Sequence, residues 1–280
     1  MKKILAALLS AIIAGTVLTG CSGGFDITKP INVVTRESGS GTRGAFVELF
    51  DLRDGGTDLI TKEAEEVNKT DVVLTNIAGN PHAIGYVSMG SLNDTVKALE
   101  IDGIKATTAN VTNGTYPVKR PFIIAYVGEL DGLQKDFVEF ILSSQGQAVI
   151  AADYVAAVSD AQAFAGTRPA GRIVVSGSSS VSPVMEKLIE AYKTFNSAAV
   201  IELQTTDSSA GMNAAADGVC DIGMSSRDLR ESELEKLTGI TIAIDGIAVI
   251  VNTENTLAGM TKAQVKSVYL GETVTWNEIK

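Results

Sequence analysis

With 280 residues, 45% of them hydrophobic, the chain is long enough to bury one large core or two ordinary ones. Aromatic residues make up only 5% and glycines number 27, a mixture that suits an α/β protein with many strand-to-helix turns. A net charge of −10 with no basic stripe argues against a nucleic-acid partner, although an acidic chain can still hold an anion where local dipoles favour it.

Lys2 and Lys3 precede an apolar run, Ile4 to Val17, with the length of a signal-peptide core and short of the ~20 residues of a membrane-spanning helix. The run ends in Leu18-Thr19-Gly20-Cys21, which resembles the lipobox of bacterial lipoproteins. Residues 1–20 are therefore expected to be a lipoprotein signal peptide and Cys21 the lipidated first residue of the mature chain. A plain secretory signal with a chance cysteine is the alternative. Cys220 is the other cysteine, so no internal disulfide is expected, and it reads as a small core residue.

Residues 21–30 read as a linker, and Ile31 to Thr35 as a β-branched strand leading into the glycine-rich turn Ser38 to Gly44. Ala45, Phe46, Leu49 and Phe50 then fall at helical spacing. Val72 to Asn76 and Ala83 to Ser88 are further expected strands, with a turn at Asn80-Pro81. Phe122 to Val127 is an apolar strand, followed by a helix over Leu133 to Ser143 and a linker-like stretch from Phe164 to Gly171. Ile173 to Val175 runs into a serine-rich turn and a helix striped by Val184, Leu188, Ile189, Tyr192 and Phe195, with Pro183 in its first turn. Val200 to Gln204, Asp221 to Met224 and Ile247 to Val251 complete a strand-helix alternation that implies mostly parallel sheets covered on both faces.

Two stretches carry the chemistry. In Arg36-Glu37-Ser38-Gly39-Ser40-Gly41-Thr42-Arg43-Gly44 the glycines satisfy a dinucleotide-binding spacing, but the carboxylate that such a unit needs on a following strand is missing, since Asp51, Asp54 and Asp58 lie in a polar loop. An anion site uses more of the stretch. Glycines admit close backbone approach, a helix N-terminus presents free N–H groups, Ser40 and Thr42 add hydroxyls, and Arg36 adds a charged planar fork. The competing use of Arg36 is a surface ion pair with Glu37. The second stretch, Gly177-Ser178-Ser179-Ser180-Val181-Ser182-Pro183, has more serines than helix capping requires. Thr205 to Gly211 and Asp221 to Arg227 are two more hydroxyl-rich strand ends.

These stretches resemble the PstS-like phosphate-binding proteins of bacterial phosphate ABC transporters, which are built like periplasmic binding proteins. The resemblance is carried by Ile31 to Arg43, Ala83 to Ser88, Tyr116 to Pro121, Gly177 to Pro183, Asp221 to Arg227 and Asp245 to Asn252. Tyr269-Leu270-Gly271 and Trp276-Asn277 add to it. It implies a two-lobed α/β fold, each lobe a mostly parallel sheet flanked by helices, with a hinge of two crossovers. It also implies capture of inorganic phosphate for an ABC transporter permease. No cofactor, metal or catalytic residue is expected, and the chain is expected to act as an exported monomer anchored by Cys21 to the outer face of the cell membrane. In the family the Gly-Ser-Ser turn opens the mature protein and the arginine element follows the Trp-Asn piece. The order here is that of a circular permutation, with a truncated or mis-assembled reading frame as the alternative. One lobe is then expected over 113–252 and the other over 31–112 plus 253–280, with crossovers near 113–115 and 252–253.

By the same resemblance, Arg36, Ser40, Gly41 and Thr42 contact phosphate from one lobe, and Ser180, the Val181 N–H, Ser208 and Ser226 from the other. Some members place an aspartate where Ser226 stands, to accept the proton of hydrogen phosphate and repel sulfate. Asp245 is the expected substitute, with Asp207 second and Asp228 also considered. Other readings are a binding protein for sulfate or molybdate, a phosphate-sensing lipoprotein, or a phosphatase-type enzyme. The enzyme reading lacks a second histidine beside His82, clustered metal ligands and a G-x-S-x-G nucleophile turn.

Overall fold

The computed structural model describes residues 24–279, so the signal segment and Cys21 lie outside the described residues. Each lobe is built on a mixed sheet. In the lobe that carries Arg36 the strand order is Glu65–Val67, Asn32–Arg36, Ala83–Ser88, the second half of Thr238–Asn252, and Val96–Ala98. In the other lobe it is Ala199–Thr206, Gly171–Ser178, Ile222–Ser225, Lys119–Tyr126, and the first half of Thr238–Asn252, with the short Val155–Ala156 at the edge. The three strands on one side of each sheet are parallel to each other. Pairs made by Lys119–Tyr126 and Thr238–Asn252 are antiparallel, because these two strands enter from the opposite lobe. The sheets are thus mixed where the sequence suggests mostly parallel ones, with the α/β layering as expected.

Thr238–Asn252 is shared by both lobes. Its residues pair with Lys119–Tyr126 up to Gly246 and with Ala83–Ser88 from Ile247 onward. The Ile247 N–H donates to the Val118 carbonyl at 2.9 Å, and the Tyr116 hydroxyl donates to the Ile247 carbonyl at 2.8 Å. Tyr116, Val118, Val249 and Val251 pack with Phe46, Tyr86 and Trp276, whereas Phe122, Ile124 and Ile242 pack with Phe137, Phe140 and Tyr192. The chain therefore passes between the cores at Val118–Lys119 and at Gly246–Ile247, a few residues inside the crossovers expected from the sequence.

Helices cover both faces of each sheet. Gly41–Leu49 is capped by Ser40, whose Oγ accepts from the Arg43 N–H at 3.3 Å, and it buries Phe46 face to face with Tyr86 at 3.9 Å between ring centres. Burial of one such ring is worth roughly 1.5–3 kcal/mol. Thr70–Gly79 is a helix where the β-branched run Val72 to Asn76 suggests a strand. Thr70, Val73, Leu74 and Ile77 make its buried face against Val87, Ala248 and Ile250, so helical spacing overrides the local strand preference. Ser182–Phe195 forms as expected, with proline in the first turn and Val184, Leu188, Ile189 and Tyr192 buried. Cys220 is buried beside Met212, Ala215 and Leu237, as a small core residue. The two ends of the described chain pair with one another, through the Ile31 N–H to the Val274 carbonyl and the Asn277 N–H to the Ile27 carbonyl, both at 2.8 Å.

Candidate functional site

Four helices point their N-termini at the junction between the lobes: Gly41–Leu49 and Thr70–Gly79 from one side, Ser182–Phe195 and Ser208–Ala216 from the other. Each follows a parallel strand, so the junction lies at the strand carboxyl ends, where open α/β sheets place their ligands. Converging N–H groups make the region electropositive without a large net charge.

Side chains from both lobes meet there. Thr42 Oγ1 lies 2.8 Å from Ser180 Oγ, and Thr70 Oγ1 lies 3.4 Å from Ser179 Oγ and 3.3 Å from Ser180 Oγ. Arg36 donates through Nη2 to Ser179 Oγ at 3.1 Å and through Nη1 to Thr70 Oγ1 at 3.4 Å. On the far side, Ser226 Oγ lies 2.9 Å from Ser178 Oγ and 3.4 Å from Ser208 Oγ, and the Ser226 N–H donates to Ser208 Oγ at 3.1 Å. Gly41 closes the ring. A Cβ on Gly41 would stand 2.2 Å from Ser208 Oγ and 2.6 Å from Ser226 Oγ, so only glycine lets the two lobes approach this closely. All of these side chains are buried.

Arg36 forms the expected ion pair with Glu37, but not at the surface. It is paired with Glu37 through two bonds of 2.7 Å, from Nε to Oε2 and from Nη2 to Oε1, but it is only 2% exposed. The bidentate pair fixes the guanidinium plane and leaves Nη1 and one proton of Nη2 for the hydroxyl ring.

Among the residues expected from the sequence, Arg36, Gly41, Thr42, Ser180, Ser208 and Ser226 come together in this ring. Ser40 is buried one residue away and spends its hydroxyl on the helix cap. The Val181 N–H donates to the Ser178 carbonyl at 3.0 Å, which folds the serine turn around Ser179 and Ser180. Asp207 caps Ser208–Ala216 by accepting from the Ala210 N–H at 2.9 Å, and Asp228 is exposed. Asp245 is fully buried behind Ser226. Its Oδ2 accepts from Arg120 Nε at 3.2 Å and Nη2 at 3.1 Å, its Oδ1 accepts from Ser88 Oγ at 3.0 Å, and the Gly90 N–H also bonds it. Four donors meet the four acceptor positions of one carboxylate. Burial pushes this carboxyl up to about 6, against the opposing pull of Arg120, Ser88 and Gly90.

Thr70 and Arg120 belong to the arrangement, and sequence reasoning does not single them out as site residues. Ser178 and Ser179 also belong to it and fall in the serine-rich stretch that the sequence does point to, though not among its expected ligands. Thr70 is hidden by the strand-like run that follows it. Arg120 opens an apolar strand, and its one signal is a charge in a position that reads as buried. His82 lies elsewhere, where its Nε2 accepts from the Asp26 N–H at 3.1 Å and its ring stacks on Phe25. Among the described residues no group of three or more His, Cys, Asp or Glu side chains is placed to hold a metal ion.

Known proteins resemble this chain along most of its length. Residues 3–145 and 162–279 match the family model described as the PBP superfamily domain. The phosphate-binding protein PstS 2 of Streptococcus agalactiae serotype V is 41% identical over 99% of this chain and 98% of its own length. Its counterpart in Streptococcus pneumoniae serotype 4 is 42% identical over 100% of this chain and 99% of its own length. The order of segments is therefore shared along the full length of these relatives. A crystal structure of a phosphate ABC transporter phosphate-binding protein from Streptococcus pneumoniae TIGR4 superimposes with a TM-score of 0.73 at 43% identity, covering 90% of this chain and 100% of that one.

Proposed function

The chain belongs to the PBP superfamily, in its PstS-like group, and from that premise we propose that it captures inorganic phosphate between its lobes and delivers it to the permease of a phosphate ABC transporter. The observation that carries this reading is the buried Arg36 fork set in a ring of hydroxyls from both lobes, at the meeting point of four helix N-termini. A tetrahedral oxyanion takes hydrogen bonds in every direction, and hydroxyls supply them from opposite sides. Because the donors are divided between the lobes, the anion favours the closed arrangement over an open one, which is what a permease needs in order to tell loaded from unloaded protein.

The ligands in this reading are Arg36, Gly41, Thr42, Ser180, Ser208 and Ser226, with Ser40 and the Val181 turn shaping their loops and Asp245 acting from behind Ser226. Cys21 anchors the exported monomer to the outer face of the membrane, and no helix among the described residues is long and apolar enough to cross it. No catalytic step is part of this reading.

A second reading, capture of a tetrahedral oxyanion in general, is favoured by one observation. Ser226 is surrounded by hydroxyls, and Asp245, the buried carboxylate behind it, has its acceptor positions filled. Hydroxyls can accept the proton of phosphate but do not repel sulfate, so without a free carboxylate the site distinguishes the two only weakly. Calorimetric titration of the mature protein with phosphate, sulfate and molybdate tests both readings. Tight phosphate binding with sulfate more than roughly 100-fold weaker selects the first, comparable affinities select the second, and no binding of any oxyanion removes both.

A further inference from the structure

Arg120 and Asp245 face each other on antiparallel strands at the last pairs before the chain passes between lobes. Their side chains are 1% and 0% exposed. Arg120 divides its fork: Nε and Nη2 bind Asp245 Oδ2, while Nη1 donates to the Ser226 carbonyl at 3.0 Å. The guanidinium also lies 5.3 Å from the centre of the Phe122 ring, which helps fix its plane. Asp245 reaches the other way. It accepts from Ser88, the last residue of Ala83–Ser88 in the opposite lobe, and from the Gly90 N–H just beyond. That turn is itself pressed against the other lobe, since a Cβ on Gly90 would stand 2.3 Å from Tyr154 Cζ.

One continuous polar chain thus runs from Ser88 in one lobe, through Asp245 and Arg120, to the Ser226 peptide in the other. The Ser226 residue then sets three hydroxyls of the ring, through its own Oγ and its contacts with Ser178 and Ser208. We propose that Arg120 is a positioning residue for the anion site: backed by Asp245, it couples the relative placement of the lobes at the hinge to the aim of the Ser226 loop. The inference rests on the anion-binding reading and adds to it residues that touch no ligand. Stability alone is a poor reason for such a pair, because a buried ion pair is commonly replaceable by apolar residues of similar volume without loss of stability. Asp245 also balances the Arg120 charge, which otherwise opposes Arg36, within whose electrostatic reach it lies.

The double variant Arg120→Met/Asp245→Leu removes both charges together and so separates folding from positioning. Its thermal unfolding should remain cooperative and close to that of the wild type. Its affinity for inorganic phosphate, measured by calorimetry, should fall roughly 10- to 100-fold, the value of a hydrogen bond to a charged group. Arg120→Lys is the second variant. It keeps the charge beside Asp245 but has no fork to hold the Ser226 carbonyl as well, so its melting temperature should hold while phosphate dissociates about tenfold faster in stopped flow. Phosphate affinity within about twofold of the wild type in either folded variant overturns the inference while leaving the anion site in place. If the wild type itself binds no phosphate, the anion-binding reading fails, and this inference with it.

Discussion

Thr42 and Ser180 are separated by 138 residues in sequence and belong to different lobes, yet their hydroxyls lie 2.8 Å apart. Their contact marks a closed arrangement in which donors from both lobes face one point. Gly39 and Ser209 repeat the relationship through the backbone, with the Ser209 N–H donating to the Gly39 carbonyl at 3.2 Å. A hydroxyl can donate or accept, so the same ring can bond within itself or turn its protons to an anion.

Gly41 sets how near the lobes come. In Gly41→Ala the new methyl would collide with Ser208 and Ser226 Oγ. The helix itself tolerates alanine, so the protein should fold with a melting temperature near that of the wild type and lose phosphate affinity by roughly tenfold or more. Small-angle scattering in saturating phosphate should show a larger radius than the wild type. Normal affinity and normal closure would mean that the lobes meet differently when loaded.

Arg36→Ala removes the guanidinium that bonds the ring hydroxyls directly. Truncating one member of a buried charge contact costs about 2–5 kcal/mol, or roughly 30- to 4,000-fold in affinity. Glu37 then loses its partner, but it is partly exposed and can be solvated, so circular dichroism should show an intact fold. Unchanged affinity would place the anion away from Arg36.

Much of this arrangement is legible in the sequence because its parts are local. The Gly177 to Pro183 turn and the stripe that follows it lie within one strand-turn-helix unit, and so does the Arg36 to Thr42 loop. What is not legible depends on distant segments meeting. Thr70–Gly79 looks like a strand from Val72, Val73 and Thr75, and only its packing on Val87, Ala248 and Ile250 selects the helix that brings Thr70 beside Arg36. Asp245 stands out in the sequence as a carboxylate close to the site, but nothing local announces that Arg120, on a strand 125 residues earlier, takes it up. The family resemblance and the permuted order imply a hinge near residues 113–115 and 252–253, whereas the cores change over within the continuous strand Thr238–Asn252, where composition carries no mark.

The buried Asp245 carboxyl gives a pH test with a definite sign. Its pKa in the folded protein is raised from 3.8 to about 6, chiefly by burial. The folded state therefore holds the proton over a range where the unfolded chain has released it. This contribution to stability is present below about pH 4 and is lost as the pH rises through about 6. In Asp245→Asn the titrating group is gone. Urea unfolding at several pH values should show the stability difference, wild type minus variant, declining between about pH 4 and 6 and level above. A difference that is level between about pH 4 and 6 and falls only at lower pH would mean a depressed carboxyl and a stronger hold by Arg120.

In the proposed reading, placement at the membrane depends on Cys21. Cells producing the wild type should retain it in the membrane fraction, and Cys21→Ala should either stop processing or release the protein. A processed Cys21→Ala protein that stays with the membrane would show that the attachment lies elsewhere.

The most direct measurement is a crystal structure of the mature protein grown with inorganic phosphate. One phosphate is expected at the meeting point of the four helix N-termini, with oxygens ~2.7–3.2 Å from Arg36 Nη atoms and from hydroxyls of both lobes, Thr42 and Ser180 among them. A phosphate bound to one lobe only, or at a position without Arg36, would contradict capture between the lobes.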